Sequence, residues 1–189
     1  SAQATFTSFE PPPGTDEFTP VAVSSDGRAV IGRAGPIGPG PDIGWVRHDD
    51  GTYAVIPPLL GDTYFFPYDI NADGSVIVGF SYDAATSHET AAKCVGGVTS
   101  AVEGGESCRA VSADGSTIVG RVRVGEYEWS VVWHADGTSD LIQGLIPSLP
   151  HALAAAVSAD GSVVVGTITD RSSERAFRWT RSGGLQVLP

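Results

Sequence analysis

The sequence predicts an all-β chain of four four-stranded repeats arranged as a β-propeller-like ring, with an extra strand at the N-terminus. Three observations carry this. One eleven-residue pattern occurs four times, at 22–32 (AVSSDGRAVIG), 69–79 (DINADGSVIVG), 110–120 (AVSADGSTIVG) and 156–166 (AVSADGSVVVG). Each copy places Asp-Gly between β-branched runs, a strong hairpin signal: Gly takes φ > 0 freely and the Asp side chain caps the turn. The turn glycines Gly27, Gly74, Gly115 and Gly161 stand 47, 41 and 46 residues apart, which is room for one propeller blade of four short strands. A solenoid or sandwich is the competing arrangement, but regular turns and strands of about five residues favour the ring.

The elements follow in order. Residues 4–9 alternate and are rich in Thr and Phe, so they read as the surplus strand; Pro11-Pro12-Pro13-Gly14 ends it. The first repeat, 19–59, holds strands at 20–24, 29–33, 44–47 and 52–56. The second, 66–103, holds 68–71, 75–81, 91–95 and 98–102. The third, 107–145, holds 109–112, 116–122, 129–134 and 138–142. The fourth, 152–189, holds 154–158, 162–167, 175–180 and 185–188. The only helical candidate, 141–156, contains Pro147 and Pro150, which argue against it. A four-stranded sheet cannot cover its own two faces, so the Val, Ile and Ala of each repeat are expected to pack against the next. The whole chain is read as a single domain.

A formal net charge of −11 argues against nucleic acid and anionic membranes, both of which need Lys and Arg. No apolar run reaches the length of a membrane span. Lys93 is the only lysine, Asn71 the only asparagine, and methionine is absent. The start Ser1-Ala2-Gln3-Ala4 suits a chain cut after a leader, so an extracellular location, with the bacterial cell surface as one site, is expected. Asn71 is followed by Ala72-Asp73 and is no N-glycosylation acceptor. The cysteines, Cys94 and Cys108, suit one disulfide in an oxidising compartment, the alternative being two buried thiols. Position favours the bridge. Trp45, Trp133 and Trp179 recur on the third strand, Cys94 takes their place in the second repeat, and Cys108 opens the third. A bridge would replace the missing wedge and staple two repeats.

The eleven-residue pattern, followed by Arg175-Ala176-Phe177-Arg178-Trp179 and Gly183-Gly184-Leu185, resembles the extracellular HAF repeat of bacterial secreted proteins. Arg175-Ala176-Phe177 stands where that family has His-Ala-Phe. The resemblance implies a secreted, propeller-like β-repeat domain and brings no catalytic residues with it.

Function is expected to be structural assembly or binding without catalysis. In the assembly reading Ala4, Thr5, Phe6, Thr7, Ser8 and Phe9 add as a strand to a second copy, giving an oligomer or filament. The alternative is a lectin-like or peptide-binding propeller in which Trp45, Trp133 and Trp179, with Arg47 and Arg178, stack on an extracellular glycan or peptide; filling space between repeats is their competing role. A third reading, a glycoside hydrolase, rests on Glu126 with Glu128, or Glu103 with Glu106, since that chemistry needs paired carboxylates. Tyr53, Tyr64, Phe65, Phe66 and Tyr68 form a further aromatic cluster, as a patch or as core. Asp26, Asp73, Asp114 and Asp160 lack calcium-loop spacing and read as turn caps. His48, His88, His134 and His151 are scattered, and no Ser lies in a nucleophile elbow. No metal and no cofactor are expected.

Overall fold

The structure, a computed structural model, describes residues 8–143, 151–169 and 173–189. The strands of these residues form four sheets of four. Blade 1 contains β1 (Thr15–Val23), β2 (Ala29–Pro36), β3 (Ile43–His48) and β4 (Tyr53–Ile56). Blade 2 contains β5 (Tyr64–Ile70), β6 (Val76–Asp83), β7 (His88–Val95) and β8 (Val98–Ala101). Blade 3 contains β9 (Ser107–Val111), β10 (Thr117–Val124), β11 (Tyr127–His134) and β12 (Ser139–Ile142). Blade 4 contains β13 (His151–Val157), β14 (Val164–Thr169), β15 (Glu174–Thr180) and β16 (Gly184–Val187). Every sheet is an antiparallel meander in chain order. The first strands β1, β5, β9 and β13 neighbour one another in turn and form the inner edge of the array.

The core is three apolar slabs, one between each pair of successive blades. Ala29, Ile31, Val46 and Ile56 of blade 1 meet Phe65, Ile70, Ile77, Ala92 and Cys94 of blade 2. Val78, Ala91 and Val102 meet Cys108, Val111 and Ile118. Ala110, Val119, Val132 and Ile142 meet Ala152, Ala154, Val164, Ile168, Phe177 and Trp179. Alternation along each strand makes this possible, because adjacent residues point to opposite faces and one sheet serves two slabs.

Each Asp-Gly turn is held by the same small network. Ser24 Oγ donates to Asp26 Oδ1 at 2.6 Å and accepts the Ala29 N–H at 3.0 Å. Ser112 with Asp114, and Ser158 with Asp160, repeat it. In blade 2 Asn71 Oδ1 accepts the Val76 N–H, and Asp73 is bonded by Ser75. Backbone bonds link the turns: Asp26 N–H to Ala72 O, Ala72 N–H to Ala113 O and Ala113 N–H to Ala159 O. The carboxylates are therefore occupied in their own turns.

These bonds hold the four carboxyls below the usual carboxylate range. The largest causes are the Ser24 hydroxyl on Asp26, the Ser75 hydroxyl on Asp73, the Ser116 N–H on Asp114 and the Ser158 hydroxyl on Asp160. Asp114 and Asp160 are lowered to about 2. A folded pKa below the unfolded value near ~3.9 means stability that is fully present above it and lost as pH falls. Asp69 runs the other way: burial raises its pKa, so its contribution is present at low pH and lost as pH rises through the folded value. The turns outnumber it. The thermal midpoint is expected to fall as pH drops from about pH 4 to pH 2, modestly because the four carboxyls are solvent-exposed; a midpoint that holds through that window overturns the role given to the turns.

One sequence expectation is corrected. Cys94 and Cys108 are both buried, free thiols and form no disulfide. Cys94 points into the slab between blades 1 and 2, whereas Cys108 packs on the opposite face of blade 2. The sheet itself separates them. Burial also pushes the Cys108 thiol up to about 12. Of the expected N-terminal strand, Ala4, Thr5, Phe6 and Thr7 lie outside the described residues, and Ser8 and Phe9 are not in a strand. Phe9 instead packs on Phe18 at 5.8 Å, with the Arg47 guanidinium 4.9 Å from its ring. Tyr53 donates its hydroxyl to Glu10 O. These residues pack over Trp45 on the outer face of blade 1, where Val55 stays exposed.

Candidate functional site

The first strand of each blade carries a β-bulge at one repeated place. The ladder skips Val21 in β1, Tyr68 in β5, Arg109 in β9 and Ala155 in β13. A bulged residue leaves the alternation and its side chain is re-aimed. The residue across from each bulge is the glycine that closes the repeated pattern, and the bulge explains it. A Cβ on Gly32, Gly79, Gly120 or Gly166 would run into the carbonyl oxygen of Thr19, Phe66, Ser107 or Leu153 respectively.

Three of the bulged residues, Tyr68, Arg109 and Ala155, line one cleft of about 440 Å³ with Arg121, Glu128 and Thr167. The Arg109 guanidinium lies 4.3 Å from the Tyr68 ring centroid, a cation–π stack between neighbouring blades. Phe80 supports Tyr68 at 5.7 Å and stacks on Phe66 at 4.9 Å, and Arg33 covers Phe66 at 4.7 Å. Asp69, beside Tyr68, accepts the Val111 N–H at 2.9 Å and ties β5 to β9. This fixes the spacing of the two residues that stack.

The two cleft arginines differ electrostatically. Arg121 is surrounded by Glu89 at 2.9 Å, Glu106 at 3.3 Å and Glu128 at 3.3 Å. Arg123 adds pairs to Glu106 and Glu128. Among the described residues no carboxylate comes within ion-pair distance of Arg109. Its guanidinium donors therefore face the cleft without an anionic partner. The far wall is rigid: the Glu128 N–H donates to His151 Nδ1 at 3.1 Å, and Ser130 Oγ donates to Ala152 O at 2.8 Å.

The sequence-predicted site residues are not gathered into one place. Trp45 is completely buried, facing Phe18 and Tyr53. Trp179 is 7% exposed in the slab against blade 3. Trp133 is half-buried, its Nε1–H donating to Glu103 O at 2.9 Å. Nor are they equivalent. Cys94, Trp133 and Trp179 pair with Ile77, Ile118 and Val164, two residues before the closing glycine, whereas Trp45 pairs with that glycine itself. Arg47 occupies the matching place in blade 1 and stacks between Phe9 and Tyr53. Arg178 borders a groove beside Asp160 and Trp179. Of the aromatic cluster, Phe65 is core, Tyr53 belongs to the N-terminal cap, and Tyr64, Phe66 and Tyr68 share a face of blade 2. Glu126 is exposed on the β10–β11 turn while Glu128 and Glu106 are bound by arginines. The carboxylate pairs do not face the cleft together.

Sheet order, radial placement and slab packing define a β-propeller array. No protein-family model and no curated protein matches the chain. Among solved structures it is similar to TolB from Acinetobacter baumannii, with TM-score 0.67 and 12% identity over 92% of this chain and 43% of that one. The putative TolB from Agrobacterium tumefaciens gives TM-score 0.65 and 14% identity, over 87% and 62%. A prolyl endopeptidase gives TM-score 0.66 and 14% identity, over 93% and 30%. The chain thus spans less than two thirds of each, and the likeness is one of fold.

Proposed function

We propose that this chain is a non-catalytic binding propeller that holds a carboxylate-bearing peptide or glycan in the cleft at Tyr68 and Arg109. The observation that carries this reading is the Arg109 guanidinium, stacked on Tyr68 and facing the cleft with no acidic partner among the described residues. A planar guanidinium held by an aromatic face is pre-organised for two parallel bonds to a carboxylate. The cleft's one carboxylate, Glu128, is engaged by two arginines and is poorly placed to act as a general acid or base. The resemblance to extracellular HAF repeats supports a secreted location. Strand addition is disfavoured because the outer edges β4, β8, β12 and β16 have only four residues each.

The test is an array of acidic and neutral peptides and glycans, with hits measured by calorimetry. Acidic members are expected to bind, and Arg109→Gln to weaken them about tenfold or more. An array without binders, or binding indifferent to Arg109→Gln, overturns the reading.

A further inference from the structure

We propose that the outer face of blade 4 is a self-association surface, on which a second copy of this chain docks about a two-fold axis passing near Ala176. The face is the serial continuation of the three slabs. Ile31, Val78 and Val119, each one residue before the closing glycine, are completely buried under the next blade. Val165, the same position in blade 4, is 40% exposed. Likewise Ile56, Val102 and Ile142 are 2%, 8% and 1% exposed, and their counterpart Leu188 is 42% exposed. Pairing places Leu188 beside Ala176 and Val165 beside Arg178, so these four residues share one face. Sheet faces of this kind pack at about 10 Å when covered.

Charge complementarity selects the occupant. Glu174, Ala176 and Arg178 alternate on that face of β15, and among the described residues neither Glu174 nor Arg178 is in an ion pair. Glu174 and Arg178 are four residues apart, about 13 Å along the strand. A two-fold axis through the small residue midway between them sets Arg178 of each copy against Glu174 of the other, a self-complementary arrangement. At the opposite end of the array Phe9, Phe18 and Tyr53 pack about Trp45, while Val55 on the same face is 59% exposed. Because a two-fold contact uses the same patch on both copies, the association closes as a dimer and does not propagate head to tail.

Sedimentation velocity from about 1 to 100 µM at physiological salt tests this. The wild-type chain is expected to shift from monomer to dimer. Glu174→Arg and Arg178→Glu are each expected to weaken the dimer about tenfold or more, and the double swap to restore it. Val165→Asp is expected to abolish it, with the thermal midpoint of every variant near wild type at concentrations where the wild type is monomeric, because the sites are exposed. A monomer across the whole range overturns the proposal, as does a dimer indifferent to Val165→Asp or a double swap no tighter than the single ones.

Discussion

Gly79→Ala is expected to destabilise the protein by at least about 3 kcal/mol. Elsewhere in a strand this change is mild or even favourable, since alanine restricts the unfolded chain. Here the new methyl points into the Phe66 carbonyl oxygen, with the Phe66 carbonyl carbon 2.8 Å away. These are backbone atoms of a bulge bordered by Pro67 and Asp69. No rotamer change relieves the contact. The chain must either open the β5–β6 ladder or flatten the bulge, and flattening re-aims Tyr68 away from Arg109. Denaturant unfolding reads the stability. A loss under about 1 kcal/mol would show that the bulge is pliable, and the account of the repeated glycine would be wrong.

Trp45→Ala is expected to cost about 3–5 kcal/mol, the range for removing a large aromatic from a core. Trp45 is 0% exposed. Its ring lies over Gly32, 6.1 Å from Phe18 and 5.6 Å from Tyr53, within the cap that Phe9 and Arg47 complete. The loss strips the cap of its centre and leaves a cavity that a strand backbone cannot fill. A stacking tryptophan on a glycan site would behave oppositely, losing affinity with little change in stability. A thermal midpoint near wild type after Trp45→Ala would therefore restore the lectin-like role for this residue.

Much of the architecture is legible in the sequence because the Asp-Gly hairpins are local and repeat four times. Strand starts were less legible. β1 begins at Thr15 and β5 at Tyr64, earlier than the 20–24 and 68–71 read from the sequence, and each runs through a proline, Pro20 and Pro67. Both sit on inner edge strands beside a bulge, where a missing N–H costs the ladder little. The misalignment of Trp45 has a geometric origin. Trp45, Trp133 and Trp179 each follow their closing glycine by 13 residues, but the longer 37–42 loop of blade 1 moves the pairing by two. An even offset preserves the face, which hides the shift from any pattern of alternation. The Tyr68–Arg109 contact joins residues one repeat apart and gives no local signal. A trace of it was present all the same: Val21, Tyr68, Arg109 and Ala155 each immediately precede the eleven-residue pattern. Aligning that column across the copies would have raised it.

Three slabs in series, with Phe9, Phe18 and Tyr53 packed about Trp45 at one end and Val165 and Leu188 exposed at the other, make cooperativity directional. Among the described residues blade 4 packs on blade 3 alone, so its hydrogen-bond ladders have the least to lose when they open. Fraying and proteolytic nicking should then start there and run toward the N-terminal end. Whatever settles on Val165 and Leu188 acts as a clamp on the whole column, raising resistance to unfolding at sites it never touches.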